Sequence, residues 1–267
     1  MTAGETAAPQ PRAISTADRA GEELPRMSLL DHLEELRKRL IYSLVALLAA
    51  VFGCFAWSRE ICLYFARPLY ELGLLPPGQK LAFLSVTDPF LLYFKTSLLA
   101  GVFVAAPVIL YQVWAFIAPG LYPKERRWAA PFVILGWVFF LAGGVFAYQV
   151  AFPLAVQFLM EMGREFTAVL TADKYYGLLL TIMLGLGLMF ELPIVLVLLA
   201  KIGLVTPRFL MKNFRWAVLI IFVVAAIITP TSDIVNLCVF ALPTIALYLL
   251  GTAAAWLLTR KKSEEAA

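Results

Sequence analysis

Three glutamates stand where a carboxylate could do chemistry in a chain that is otherwise mostly apolar. Glu35 and Glu125 lie in segments rich in arginine and lysine, whereas Glu191 lies inside an apolar run. A carboxylate binds a guanidinium through two parallel hydrogen bonds, an arrangement that a lysine ammonium cannot make. Glu35 and Glu125 are therefore candidates for binding arginines of another molecule. The alternative is that each pairs with a base of its own chain, as Glu35 could with Arg39 four residues later.

Glu191 raises a separate question because its apolar run is long enough to cross a bilayer. A charged carboxylate at membrane depth costs several kcal/mol unless it is paired or protonated. We therefore expect a functional role for Glu191. The alternative is a protonated side chain that donates a hydrogen bond to a backbone carbonyl.

The sequence lacks the residue patterns that would build a catalytic centre. Its one histidine is His32, and its cysteines, Cys54, Cys62 and Cys238, have no metal-ligand spacing. It contains no nucleotide-binding loop and no nucleophile with an adjacent base, and its basic residues form no stripe with interleaved aromatics. We therefore expect neither an enzyme nor a nucleic-acid-binding protein, and neither a cofactor nor a metal.

The composition is that of a membrane protein. Of 267 residues, 62% are hydrophobic and 15% are charged, and the mean hydropathy is +0.84; soluble domains are about 45–50% apolar and about 25% charged. Several runs of about 20 apolar residues would each cross a hydrocarbon core of roughly 30 Å. We predict an all-α integral membrane protein with six transmembrane helices. Its parts are a disordered cytoplasmic tail over residues 1–27, a membrane domain over 28–259 and a cytoplasmic tail over 260–267.

The elements that position the glutamates follow from the hydrophobic pattern. Residues 28–40 predict an amphipathic helix, capped by Ser28, that lies along the membrane surface. After the first span, residues 58–88 predict an ordered extracytoplasmic loop with short helices. The stretch between Arg215 and Arg260 has no lysine or arginine. It is too long for one span and shorter than two ordinary spans, so the fifth and sixth spans should be short. The predicted spans cover residues 41–57, 90–117, 128–152, 175–200, 216–228 and the run that ends before Arg260.

Charges and prolines indicate the orientation and the shape. Lysines and arginines beside the spans concentrate on the amino-terminal side, so the positive-inside rule predicts that both termini are cytoplasmic. Lys95, one turn into the second span, should extend its ammonium outward. Prolines within the spans or at their ends should kink the helices and produce a cupped scaffold. These prolines are Pro107, Pro131, Pro153, Pro193 and Pro243.

Five motifs, in this order on such a hydropathy profile, resemble the TatC family, the largest subunit of the twin-arginine protein translocase. The resemblance covers about residues 28–260. The motifs are HLEELRKRL at 32–40, WAFIAPGLYPKERR at 114–127, FELP at 190–193, TP at 206–207 leading to Arg215, and TP at 229–230 followed by Asp233.

The resemblance implies a receptor, located in the cytoplasmic (inner) membrane, for the twin-arginine signal peptides of folded cargo proteins. It implies that the proton-motive force drives export, and that the partners are single-span TatA- or TatB-type subunits, further copies of the chain and membrane lipid. Glu35 and Glu125 match the family's glutamates that bind the arginine pair. Glu191 matches a polar position that contacts the single-span partners.

Other matched positions allow two interpretations each. Phe116 and Leu121 could support the apolar part of the signal peptide or simply pack at the membrane interface. Arg37 could orient Glu35 or anchor its helix to anionic lipid. Pro68 and Asp233 match extracytoplasmic positions and could have structural roles or contact a partner.

Three residues depart from the family pattern, and the residue pattern also bears on two other classes of function. The departures, at Leu186, Asn236 and Leu249, put local contacts in doubt. A secondary transporter would need more polar groups inside the membrane than Glu191 and Lys95 provide. An intramembrane enzyme is disfavoured by the single histidine and by the lack of paired carboxylates.

Overall fold

The structure is a computed structural model that describes residues 29–75, 80–117, 129–167, 169–229 and 233–264. In these ranges the regular structure is helical, apart from one isolated parallel β-bridge between Ala82 and Thr171. A π-helical segment covers Ala147–Ala151. The helices in chain order are α1 (Leu29–Phe55), α2 (Ser58–Phe65), α3 (Arg67–Glu71), α4 (Asp88–Ile117), α5 (Ala129–Phe146), α6 (Phe152–Met162), α7 (Ala172–Phe190), α8 (Leu192–Lys201), α9 (Pro207–Lys212), α10 (Phe214–Ile228) and α11 (Ile234–Glu264).

The first span and the segment before it form one helix. We predicted a separate surface helix that ends at Leu40, but α1 runs without interruption from Leu29 to Phe55, so that prediction is wrong. Leucines and other good helix formers continue through this point, and no proline or glycine occurs between Leu29 and Gly53 to end the helix. The proposed cap, Ser28, and the tail over residues 1–27 lie outside the described residues.

Five helical segments of the described chain are long and apolar enough to cross a membrane, and α10 is an apolar helix of 15 residues. The prediction of an all-α membrane protein with a short fifth apolar helix is thus confirmed. The sixth apolar helix is not short, because α11 begins at Ile234, directly after Asp233, includes Pro243 and continues to Glu264. The five long segments are Leu30–Phe55, Asp88–Ile117, Ala130–Met162, Ala172–Lys201 and Ile234–Leu258.

Two of these segments are interrupted next to a proline. The π-helical segment precedes Pro153, and the prediction that this span ends at residue 152 was too short, because the helix resumes and continues to Met162. In the next span α7 ends at Phe190 and α8 begins at Leu192, directly before Pro193. Proline lacks the N–H of the helical ladder and its ring crowds the carbonyl four residues earlier, which explains both positions.

The core of the bundle is centred on α7. Among the described residues, five large apolar side chains have no exposed surface. In the most apolar stretch of the α7–α8 segment 56% of residues are buried, compared with 6% in α1, which packs mainly along α4. These five large side chains are Phe152, Leu179, Ile182, Leu186 and Phe240.

A small cap, made of α2 and α3, covers the end of the bundle where α4 and α7 begin. The Tyr176 hydroxyl donates to the Cys62 carbonyl at 2.7 Å, and the Tyr175 hydroxyl donates to the Phe65 carbonyl at 2.9 Å. Burial raises the pKa of the Cys62 thiol. At the same end Lys95 Nζ lies 2.5 Å from Asp173 Oδ1, so the ammonium that we expected to extend outward joins α4 to α7. The short helices predicted in the loop over residues 58–88 are confirmed.

Candidate functional site

The first turns of α1 pack against the last turns of α4, and this contact places Glu35. The His32 ring stacks on the Phe116 ring with centroids 4.5 Å apart and an angle of 22° between the planes. Arg39, two turns further along α1, donates from Nη1 to Gln112 Oε1 at 3.2 Å. An aromatic contact and a hydrogen bond between side chains therefore fix α1 against α4 on both sides of Glu35.

Glu35 is held by the same arginine. Arg39 Nη2 donates to Glu35 Oε1 at 3.2 Å, the pairing that the four-residue spacing allowed. The Glu35 side chain is 18% exposed, so it remains accessible. Among the described residues, the contacts of this carboxylate use Oε1 and leave Oε2 available. A carboxylate can accept up to about four hydrogen bonds, so Glu35 can accept another guanidinium.

The other predicted peptide-binding residues have different outcomes. Arg37 is exposed, and the guanidinium that contacts Glu35 comes from Arg39 instead. Phe116 is partly buried under His32. Leu121 and Glu125 lie outside the described residues. The sequence pattern does not predict that His32 and Gln112 lie beside Glu35, because this arrangement forms only when α1 packs on α4.

An aromatic cluster supports the two helix ends that flank residues 118–128. Trp114, near the end of α4, stacks on Phe132, near the start of α5, with centroids 4.9 Å apart. Lys201 Nζ, at the end of α8, lies 5.5 Å from the centroid of the Phe132 ring, a cation–π contact. The segment that carries Glu125 is therefore flanked by two helix ends whose side chains pack together. They lie at the end of α4 that also carries Phe116.

Glu191 occupies the break between α7 and α8. The residue is 7% exposed, and its carboxylate faces the backbone of α5 at Gly136, where a Cβ would lie 3.1 Å from Oε2 and 3.5 Å from Oε1. Glu191 Oε1 is buried and has no hydrogen-bond partner in the described part of the chain. A buried carboxyl oxygen without a hydrogen bond lowers the free energy of unfolding, which is consistent with the functional role that we expect for Glu191. Pro193 predicted a kink in this span, but the sequence did not predict the glycine that faces Glu191.

The two predicted extracytoplasmic residues have clear structural contacts. Pro68 is buried in the first turn of α3, where a proline costs no helical hydrogen bond. Asp233 precedes α11 and accepts hydrogen bonds from the Asn236 backbone N–H at 2.7 Å and from Asn236 Nδ2 at 2.8 Å. Asp233 thus caps α11, as its residue type favours.

The three departures from the family pattern occupy different environments. Asn236 is 2% exposed, and its side-chain amide donates to Asp233, so it supports the cap of α11. Leu186 is fully buried in α7, whereas Leu249 is exposed on α11. Within the described ranges, histidine, cysteine and acidic residues form no group of three or more that could hold a metal ion.

Comparisons with known proteins agree on one family. The family model for the Sec-independent protein translocase protein (TatC) matches residues 31–243. Sec-independent protein translocase proteins TatC from Koribacter versatilis and Deinococcus radiodurans are 46% and 39% identical over 249 and 234 residues. These alignments cover 92% of both chains for the first relative and 87% of both for the second.

A solved structure supports the same assignment. The crystal structure of a twin-arginine translocase receptor, TatC, superimposes with a TM-score of 0.74 at 35% identity and covers 85% of this chain and 99% of that one. The chain is therefore a component of a protein translocase, and the solute-transporter alternative is set aside. On these findings, the chain belongs to the TatC family of Sec-independent protein translocase proteins.

Proposed function

We propose that this chain is the signal-peptide receptor and assembly core of the twin-arginine translocase, which exports folded proteins across the cytoplasmic membrane using the proton-motive force. In this proposal the chain has six spans and both termini are cytoplasmic. The observation that carries the proposal is the accessible carboxylate of Glu35, which is already paired with a guanidinium and is fixed on α1 against α4.

The contacts of Arg39 support a proposal for how the receptor recognises an arginine. Its guanidinium uses one nitrogen for Glu35 and another for Gln112, each at 3.2 Å. An arginine of the signal peptide would bind the second oxygen of Glu35 or replace Arg39 there. Glu125 would bind the other arginine of the pair from the neighbouring connection. A lysine offers no planar fork, so the site would prefer arginine.

The residues around Glu35 suit the rest of a signal peptide. Phe116 is partly buried, and its ring, stacked on the His32 ring, forms an apolar surface beside the Glu35 carboxylate. Leu121 would extend this surface. Arg37 is exposed on the same helix, where it would contact anionic lipid at the membrane surface.

Glu191 would serve the single-span TatA- or TatB-type subunits. Its buried oxygen has no partner in the described chain, and a polar group of a partner helix would satisfy it. Pro68 and Asp233 would act through the local structure that they stabilise, and further copies of the chain would assemble around this core.

Photo-crosslinking tests the receptor function. A photoreactive residue placed next to Glu125 should crosslink to a twin-arginine peptide and not to the matched twin-lysine peptide. Equal labelling of the two peptides, or none, would contradict the proposal.

A matched pair of variants tests the role of Glu35. Glu35→Gln should weaken binding of the twin-arginine peptide about tenfold or more, because a hydrogen bond to a charged group contributes about 1.5–3 kcal/mol. Glu34→Gln removes the same charge from the adjacent exposed residue and should have little effect. Similar losses in the two variants would show that general surface charge, and not Glu35, recruits the peptide.

A further inference from the structure

Two adjoining cavities lie at the capped end of the bundle, and of the residues that line them the function proposed above involves only Pro68. One, of about 540 Å³, is lined mainly by α2, α4 and α5 and is called the cleft. The other, of about 340 Å³, lies between α3 and the π-helical segment and is called the polar cavity. Tyr64, Tyr148 and Gln149 line both, so the two adjoin. Each has the volume of a small-molecule site.

The cleft is apolar and faces the surroundings of the bundle. Val104 of α4 is 60% exposed and Val145 of α5 is 53% exposed, and both belong to segments long and apolar enough to cross a membrane. At the back of the cleft the Phe103 ring occupies the space that a Gly144 side chain would need, since a Cβ there would lie 2.5 Å from Phe103 Cε1. In a bilayer such a surface meets hydrocarbon, so an acyl chain is the apolar ligand that this cleft fits.

The polar cavity carries both signs of charge. Arg67 lies over the Tyr64 ring at 4.9 Å from its centroid, and Glu71 lines the same cavity. Glu60 lines the adjoining cleft. A guanidinium binds phosphate through its fork, and carboxylates bind an ammonium group. One cation beside two carboxylates disfavours an anionic headgroup and favours a headgroup with both a phosphate and an ammonium.

The rings that separate the two cavities are fixed in place. Tyr64 stacks on Tyr148 with centroids 5.3 Å apart, and the Tyr148 hydroxyl donates to the Tyr64 carbonyl at 2.8 Å. Tyr148 and Gln149 both belong to the π-helical segment. Segments of this kind occur frequently at functional sites, where they change the direction in which side chains point. This segment places two polar side chains at the boundary between the apolar and the polar cavity.

We propose that the two cavities together bind one zwitterionic phospholipid of the phosphatidylethanolamine type. Its phosphate contacts Arg67, its ammonium contacts Glu71 or Glu60, and one acyl chain lies in the cleft between α4 and α5. The bound lipid connects the α2–α3 cap to the membrane-spanning helices. This site is independent of peptide binding at Glu35.

A photoreactive lipid tests the proposal on the full chain in bilayers of phosphatidylglycerol. The probe is phosphatidylethanolamine with a diazirine in one acyl chain, and the comparison probe is phosphatidylglycerol with the same diazirine. We expect the first probe to label Phe103, Val104, Leu141 and Val145 several-fold more than the second. Arg67→Gln should reduce that labelling about tenfold, which corresponds to about 1.4 kcal/mol, whereas Arg59→Gln, on the same cap but outside both cavities, should not.

A second pair of variants separates a bound lipid from the lipid that surrounds any membrane protein. Val145→Trp fills the cleft and should abolish the labelling, whereas Val138→Trp, two turns away on α5 and also exposed, should leave it unchanged. Thermal unfolding of each variant confirms that it is folded. Equal labelling by the two lipid probes, equal loss in the two tryptophan variants, or crosslinks from Val104 to a second copy of the chain would overturn the proposal.

Discussion

The Glu191 carboxylate lies against the backbone of Gly136, so close that a Cβ on Gly136 would be 3.1 Å from Glu191 Oε2. The break before Pro193 places the glutamate there, and the missing side chain at position 136 gives its carboxylate room. The two residues come from different spans and depend on each other. A change at either one should therefore disturb the same buried polar group.

We predict that Glu191→Ala impairs assembly with single-span partner subunits and leaves binding of a twin-arginine peptide intact. Gly136→Val should reproduce this pattern, because the added side chain would displace the carboxylate without removing it. Co-purification of partner subunits and peptide affinity, measured on the same preparations, provide the two readouts. Loss of peptide binding in either variant would refute the separation of the two sites.

We predict that Glu125→Lys abolishes binding of a twin-arginine peptide while the protein remains inserted and stable. Replacing the carboxylate with an ammonium removes an acceptor and adds repulsion, which should cost about 2–5 kcal/mol of binding free energy. Peptide affinity and in vivo export are the measurements. Normal export by this variant would rule out Glu125 as a binding residue.

Helix packing at Gly143 leads to a stability prediction with an internal control. A Cβ on Gly143 would lie 2.8 Å from the Leu186 carbonyl oxygen, whereas a Cβ on Gly177 would meet nothing within 4 Å. Gly143→Ala should lower the free energy of unfolding by about 1–3 kcal/mol. Gly177→Ala should leave it unchanged or raise it by up to about 1 kcal/mol, because alanine favours the helix. Thermal unfolding in detergent distinguishes them, and a lower Tm for Gly177→Ala than for Gly143→Ala would contradict the packing argument.

The ion pair between Lys95 and Asp173 should contribute modestly to stability. Both side chains are more than a third exposed, at 35% and 41%, so solvent screens the pair and a double-mutant cycle should give a coupling energy below about 1 kcal/mol. The pair between Arg164 and Glu161, which is 74% and 54% exposed, should give a smaller value. Both coupling energies should fall as salt concentration rises. A larger coupling for the more exposed pair would show that burial does not control these interactions.

Local sequence signals predicted the elements well where the signal lies within one helix. The apolar run predicted a span over residues 90–117, and α4 is Asp88–Ile117. Pro193 predicted a kink in its span, and the helix is interrupted directly before it, at Glu191. Such features depend on backbone chemistry and hydropathy, which the sequence carries directly.

The wrong predictions came from signals that do not set a boundary. The change from polar to apolar residues at Leu40 marks a change of solvent and not a helix end, so α1 continues through it. The absence of lysine and arginine before Arg260 suggested two short spans, but α10 ends at Ile228 and α11 begins at Ile234, which divides the stretch unequally. The contacts between His32 and Phe116 and between Glu191 and Gly136 depend on how helices pack, which no spacing within one helix specifies.

The sparse burial of α1 has a consequence for biogenesis. This helix is synthesised before the other described helices, but the large, fully buried side chains of the core belong to later segments, with Ile182 about 140 residues after the middle of α1. At about 5–20 residues per second, a ribosome needs on the order of 10 s to reach it. During that interval the first helices enter the bilayer before the core that they surround exists. A helix with most of its surface facing lipid can remain stable during this interval, because its surroundings in the bilayer are already those of the folded protein.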